Sequence, residues 1–177
     1  TVSFVYDAAN RMISETLNGR TTSYIHDIPG NKNTVNYPGG RSIERVSDQR
    51  GRLVEVREGA SVIATFEYDM ADRLLKKSYP ANGTETNYAY DANDRLISII
   101  SSPGNFLNSI FTYDNNGNKL SEKKLHRPDQ SEQYGYDDDY RLVSFKRGVM
   151  AGNSIPSPTQ QIAYNYDPLG NRTSVVE

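Results

Sequence analysis

The sequence contains no cysteine, so neither a disulfide framework nor a thiolate metal site is available to it. Its two histidines, His26 and His126, stand a hundred residues apart with no cysteine or second histidine near either, which argues against a zinc or nucleophile constellation. No run of eighteen apolar residues is present to span a bilayer as a helix, and no signal peptide opens the chain. A formal net charge of −2 provides no attraction for nucleic acid or another polyanion. Pro38-Gly39-Gly40 lacks the following helix that a phosphate loop needs. Amphipathic helical spacing is missing throughout. Residues 54–64 come nearest, but their β-branched content and Gly59 favour strands. Tryptophan is absent and the hydrophobic fraction is 36%, little for a large compact core, whereas tyrosine occurs 13 times. An amphipathic ring in that abundance suits a sheet whose surface is partly wet.

What the chain does have is a repeat. Tyr90-Asp91-Ala92-Asn93-Asp94-Arg95-Leu96 recurs as Tyr6-Asp7 with Arg11-Met12, Tyr68-Asp69 with Arg73-Leu74, and Tyr113-Asp114 with Asn118-Lys119. Two further copies are Tyr136-Asp137 with Arg141-Leu142 and Tyr166-Asp167 with Asn171-Arg172. Two more keep the aspartate and lose the tyrosine, having His26-Asp27 and Ser47-Asp48, the latter followed by Arg52. Successive aspartates stand 20, 21, 21, 22, 23, 23 and 30 residues apart, a period that predicts a repeat architecture.

A second aromatic precedes most of the tyrosines by two residues, as in Phe4/Tyr6, Phe66/Tyr68 and Phe111/Tyr113, which places both rings on one face of a strand. After each aspartate come two variable residues and then Gly, Asn or Asp, residues that tolerate positive φ. That is the chemistry of a three-residue hairpin loop closed by a left-handed residue. The loop sets Asp7 opposite Arg11, Asp48 opposite Arg52, Asp69 opposite Arg73, Asp91 opposite Arg95 and Asp137 opposite Arg141. Asparagine takes the arginine's place in Asp27/Asn31, Asp114/Asn118 and Asp167/Asn171. One pair further out, Tyr6, Tyr68, Tyr90 and Tyr136 meet Met12, Leu74, Leu96 and Leu142, contacts contributing roughly 0.2–1 kcal/mol each. Tyr140 is bulky for the left-handed position, so its loop is expected to adopt another conformation.

Looser turn signals such as Asn18-Gly19, Asn82-Gly83 and Pro103-Gly104 separate the units, so the whole reads as an all-β antiparallel meander of hairpins over residues 1–177. Apolar residues at Leu75, Ile97, Ile99, Leu120, Val143 and Phe145 fall by parity on the face opposite the tyrosines, which predicts a sheet that is sandwiched or closed on itself. The Gly/Pro/Ser-rich insertion at residues 148–158 reads as a surface loop.

Candidate chemistry is sparse. Asp137-Asp138-Asp139 are neighbours on a turn, pointing apart into solvent rather than pairing for acid–base work. Asp114-Asn115-Asn116-Gly117-Asn118 has alternating oxygen donors but lacks the glycine offset and distal glutamate of a calcium loop. Asn82-Gly83-Thr84 and Asn171-Arg172-Thr173 match the glycosylation pattern and coincide with turns. His26 in a tyrosine slot reads as a substituted packing position. No catalytic residue, metal or cofactor is indicated. A tyrosine-rich face that stacks on sugars is the second reading, with packing favoured.

The recurring unit resembles the YD repeats of the Rhs family, found in bacterial Rhs toxins, insecticidal Tc-toxin shell subunits and animal teneurins. The strongest tokens are Tyr90-Asp91-Ala92-Asn93-Asp94-Arg95-Leu96 and Tyr166-Asp167-Pro168-Leu169-Gly170-Asn171-Arg172-Thr173. The resemblance implies a β-sheet ribbon that spirals into a hollow shell, secreted or at the cell surface. In the toxins that shell encloses a C-terminal effector polypeptide, and in teneurins it supports adhesion. The self-cleaving aspartates that end such toxin shells have no recognisable counterpart here. The partners implied are the remaining repeats and the effector, with a glycan or cell-surface receptor as the alternative. Beginning part-way up a strand without an initiator methionine, the chain reads as a piece of a longer array. The strands at residues 1–6 and 161–166 are then expected to present unguarded edges and to self-associate.

Overall fold

The computed structural model describes residues 1–104 and 106–177, and the chain divides into two compact units, Thr1–Glu85 and Thr86–Glu177. The first unit holds strands β1 (Val2–Tyr6), β2 (Met12–Leu17), β3 (Arg20–Asp27), β4 (Lys32–Asn36), β5 (Ser42–Ser47), β6 (Leu53–Glu58), β7 (Ser61–Tyr68) and β8 (Leu74–Tyr79). The boundary falls within β9 (Thr84–Tyr90). The second unit continues with β10 (Leu96–Ser102), β11 (Asn108–Tyr113), β12 (Lys119–Lys124), β13 (Ser131–Tyr136), β14 (Leu142–Gly148), β15 (Gln160–Tyr166) and β16 (Arg172–Val176). A single 3-10 turn, Pro128–Gln130, is the only helical element among the described residues. Within each unit the strands follow chain order and pair antiparallel, which is the least entropically costly way to assemble hairpins joined by short turns.

Six hairpin ladders carry a feature that parity along the sequence does not reveal. In these six hairpins the register slips by one residue just beyond the residue that precedes the aspartate, tyrosine in five and Ser47 in the sixth, so that Ile13, Val54, Leu75, Leu120, Val143 and Thr173 are left over on the return strand. A one-residue bulge inverts every later side chain on that strand. Phe145, placed by parity on the second face, therefore pairs with Tyr134 on the tyrosine face, their ring centroids 5.7 Å apart. The second face is accordingly poorer in apolar groups than the sequence suggests. Leu75 and Leu120 remain 38% and 36% exposed, and among the described residues the extensive strand contacts within each unit run between chain neighbours, so no second layer covers that face within either unit.

The buried apolar core is small. Val35 and Ile43, cross-strand partners on β4 and β5, are buried with Ala64 in the first unit. Met150 and Ile155 are buried in the second. Serines fill much of the remaining interior there, Ser101, Ser109, Ser121 and Ser131 being almost inaccessible. Their hydroxyls are bonded, Ser121 to Thr112 at 2.6 Å and Ser131 to the Lys124 N–H at 3.0 Å. Satisfied hydroxyls can occupy an interior that unsatisfied ones could not.

Two expectations about the C-terminal third need correction. The insertion after β14 is not merely a surface loop: it closes on itself through an Ala151–Ser154 bridge and inserts Ile155, 1% exposed, with the Ile155 N–H donating to Gln133 Oε1 at 3.0 Å. Proline keeps this segment out of the sheet but does not prevent its apolar side chains from packing against it. Gly148, at φ +153°, is required by the arrangement, because a Cβ there would lie 3.0 Å from Ile155 Cγ2. The unpaired strand is also not at residues 161–166. β15 is bonded on both sides, to β14 and β16, and the outer strand is Arg172–Val176.

Ile155→Ala should lower the unfolding free energy by about 2–5 kcal/mol, the cost of truncating a buried branched side chain where neighbours cannot collapse. Equilibrium denaturation measures this. A loss below about 0.5 kcal/mol, typical of surface positions, would place the insertion in solvent.

Candidate functional site

The groups that carry the repeat's polar chemistry gather at the aspartate-led turns. At the first turn Asp7 Oδ1 accepts the N–H groups of Ala9 and Arg11, both at 2.9 Å, while Oδ2 accepts Arg11 Nε at 2.7 Å. The backbone closes the same loop, with Asp7 N–H donating to the Arg11 carbonyl and Asn10 N–H to the Asp7 carbonyl. Asp48 with Arg52, Asp69 with Arg73, Asp91 with Arg95, and Asp137 with Arg141 repeat this arrangement. Asn118 and Asn171 substitute a shorter donor, their Nδ2 atoms reaching Asp114 and Asp167 Oδ2 at 2.7 and 2.9 Å. One carboxylate thus satisfies two loop N–H groups and a side-chain donor on the return strand.

The turn at Asp27 departs from this, and the pairing expected with Asn31 does not form. Asp27 instead faces Lys32, and the left-handed residue is Asn31 at φ +51° rather than Gly30. Pro29 is the cause. It occupies the position whose N–H reaches the carboxylate in the other turns, and proline has no N–H to give. The next residue donates in its place, Gly30 N–H to Asp27 Oδ1 at 3.0 Å, and the loop grows by one. A Cβ on Gly30 would lie 2.1 Å from that carboxylate. The loop at Tyr140 corrects the opposite way: Tyr140 takes φ +61° in the same loop as its counterparts. Asp139 can supply the required N–H, at 3.1 Å, and the 58% exposed ring meets no obstacle. A left-handed cost of about 1–2 kcal/mol is small enough for the bonded loop to absorb.

A second set of contacts joins each hairpin to the next. The hydroxyls of Tyr68, Tyr113, Tyr136 and Tyr166 donate to the carbonyls of Leu53, Leu96, Lys119 and Leu142 in the preceding hairpin, at 3.0, 2.8, 3.1 and 2.9 Å. Arginine bridges the same gap in the other direction. Arg52, Arg95 and Arg141 lie over the rings of Tyr68, Tyr113 and Tyr166 at 4.9, 4.9 and 5.0 Å. Arg52 Nη1 and Arg95 Nη1 also donate to the Asp69 and Asp114 carbonyls at 2.9 and 2.6 Å. Reading the sequence missed this cross-hairpin role. The available signal was that in the six aromatic pairs the inner ring is always tyrosine, whereas the outer one is phenylalanine in three, so only the inner position keeps its hydroxyl throughout. His26 serves in the tyrosine's place as more than a packing substitute: Nε2 lies 2.9 Å from the Met12 carbonyl, the bond the tyrosines make, and Nδ1 lies 2.9 Å from Asn33 Oδ1.

The electrostatics follow from these bonds. Asp7, Asp48, Asp69, Asp91, Asp114, Asp137 and Asp167 are all held below the ordinary carboxylate value. At Asp48 the Arg52 side chain is the main cause, against partial desolvation, with the Arg52 and Arg50 N–H groups adding to it. Away from the turns, the most enclosed charge is Glu132, which burial pushes up but Tyr134, Arg147 and Lys124 together hold below its ordinary value. Its oxygens are occupied by these partners, which makes it a tie between β12, β13 and β14. Among the described residues no three His, Cys, Asp or Glu side chains come together as a metal would require. Nor is any helix among them long and apolar enough to cross a membrane.

Residues 68–105 match the RHS Repeat family. The chain is 32% identical over 105 residues to the tRNA nuclease WapA of Bacillus subtilis (strain 168), an alignment covering 59% of this chain and 4% of that protein. It is 25% identical to the double-stranded DNA deaminase toxin A of Burkholderia cenocepacia (strain H111), over 96% of this chain and 14% of that one. Among solved structures, the Tc holotoxin pore of Photorhabdus luminescens superposes with a TM-score of 0.64 at 23% identity, over 88% of this chain and 9% of its own. A TcdB2–TccC3 complex superposes at 0.58 with 21% identity, over 98% and 9%. These likenesses show the fold, and the chain spans only a small part of each relative.

Two measurements address the cross-hairpin contacts. Tyr113→Phe, which removes one hydroxyl bond and leaves the ring, should cost about 1 kcal/mol on denaturation. No change would mean the carbonyl of Leu96 does not need it. His26 is held above its ordinary value, chiefly by the Met12 carbonyl and then by Asn33, against desolvation and the nearby Arg11 charge, with Asp7 adding in its favour. Its charged form is therefore favoured by folding. That stability is present below the unfolded value near 6.5 and is lost as pH rises through the higher folded value. His26→Tyr should abolish the dependence in that window, and a pH profile identical in both proteins would refute the assignment.

Proposed function

We propose that the work of this chain, whose residues 68–105 match the RHS Repeat family, is structural and non-enzymatic: it forms part of a shell wall that encloses an effector polypeptide of its parent protein and helps to deliver it. The observation that carries this reading is the use made of the polar side chains. The repeated aspartates, arginines and tyrosine hydroxyls, which could otherwise be read as acids, bases and binding groups, are engaged in closing turns and bridging hairpins. Relatives whose names describe a nuclease and a deaminase toxin support a parent that carries a separate active polypeptide. A secreted or surface location goes with that role.

A groove of about 430 Å³ in the first unit favours the second reading, a glycan or receptor-binding surface, because the half-exposed Phe4 ring lies there beside Glu15, Leu17 and Arg20. A glycan array with the 177-residue chain separates the two, saturable binding favouring the second.

For the shell reading, limited proteolysis of the full-length parent protein should leave the effector intact. It should cut the effector when Arg52, Arg95 and Arg141 are replaced together by alanine. Equal cleavage in both proteins, or a parent with no polypeptide to protect, would overturn it.

A further inference from the structure

The cross-hairpin contacts are interrupted at one place in the second unit. Where the return strand starts with Arg52, Arg95 or Arg141, a guanidinium fills the gap to the next hairpin, lying on a tyrosine ring 4.9–5.0 Å away. Between the turns of Asp114 and Asp137 the corresponding residue is Asn118, whose amide already donates to Asp114 Oδ2 and is too short to extend further. The receiving half of the contact is nevertheless intact. Tyr136 is held by its hydroxyl bond to the Lys119 carbonyl, as the other tyrosines are held. The Asp137 carbonyl accepts the Tyr140 N–H, as the Asp69 carbonyl accepts that of Asp72, but among the described residues no guanidinium reaches it as Arg52 reaches Asp69. The ammonium of Lys119 does not replace one, since it lies over Tyr134 and Phe111 and pairs with Glu122.

The result is a cavity of about 350 Å³ lined by Asp114, Asn118, Tyr136, Asp137, Asp138 and Tyr140, with Asn116 and Leu120. Its charge is unbalanced. Arg141 is shared by Asp137 and Asp139, while Asp114 has only the neutral Asn118 across its turn. The other internal gap that starts from asparagine behaves as a comparison within the same chain. It too is open, about 260 Å³ beside Asp27, Asn31 and Ser47, but serine stands where the ring would be and no aromatic lines it. The two gaps therefore differ in the feature that would select a planar cation.

We propose that the cavity between Asn118 and Tyr136 is a binding subsite for a guanidinium, the arginine side chain of another polypeptide, which would take the place that the chain's own arginine occupies in the equivalent gaps. A guanidinium suits it better than an ammonium, because a flat, weakly hydrated fork can stack on the ring while donating to a carbonyl at its edge. A compact metal ion suits it poorly, because the inward carboxylate oxygens of Asp114 and Asp137 already accept N–H groups.

The test is an amide chemical-shift titration of the 177-residue chain with N-acetyl-argininamide. Saturable shifts are expected at Tyr136, Asp137, Asp138 and Tyr140, with none around Ser47. N-acetyl-lysinamide should bind about tenfold more weakly or less. Asn118→Arg should abolish binding by filling the cavity from within, while raising the melting temperature through the added contact. Asp138→Asn, at an exposed loop position that leaves the turn bonds in place, should weaken binding without changing that temperature. No saturable shift, equal binding of the lysine derivative, or undiminished binding to Asn118→Arg would each overturn the proposal.

Discussion

Everything in this chain depends on one carboxylate per repeat accepting hydrogen bonds from the loop it begins. A tight three-residue loop leaves N–H groups pointing inward with no strand partner, and such groups are costly unless satisfied. Asp7, Asp48, Asp69, Asp91, Asp114, Asp137 and Asp167 supply an acceptor at the required place, with one oxygen left to hold the first residue of the return strand. The exception shows the same constraint: where Pro29 cannot donate, the loop lengthens until another N–H can.

Closing a hairpin does not join it to the next, and the small apolar core supplies little help. Tyrosine hydroxyls and arginine guanidinia provide the connection, each reaching from its own turn to a carbonyl or ring of the neighbouring one. Contacts of this kind fit a nearest-neighbour architecture, in which every unit is held by the units beside it. They also explain how degenerate copies persist. His26 keeps the hydrogen bond while changing its pH response, and Asn118 keeps the turn while giving up the bridge. The fold therefore tolerates substitutions that alter the local chemistry of a gap, and such gaps are where a repeat array can acquire binding properties.

The repeat period, the all-β class, the turn aspartates with their facing arginines, and the rows of aromatic rings were legible because each is a local pattern written many times. Hairpin loops are decided by residues a few positions apart, and eight copies make the rule readable even when single copies vary. Two local readings nonetheless failed on the details of one loop each. Tyr140 was judged by its bulk when its exposure was what mattered, and the missing N–H of Pro29 was overlooked.

The sequence by itself determined where the chain turns, because turn chemistry is short-ranged and each loop carries its own donors and acceptors. The tertiary structure alone decided which face each later side chain occupies and what bridges the gaps between hairpins. A bulge displaces the register by one residue without any distinctive residue type to announce it, so Phe145 joins Tyr134 against the parity of the sequence. The partners of a tyrosine hydroxyl or a guanidinium lie about 15–24 residues away along the chain, a separation that only strand pairing converts into contact. Ile155 is buried for the same reason, since its pocket is formed by Gly148 and a strand that ends nearly twenty residues before it.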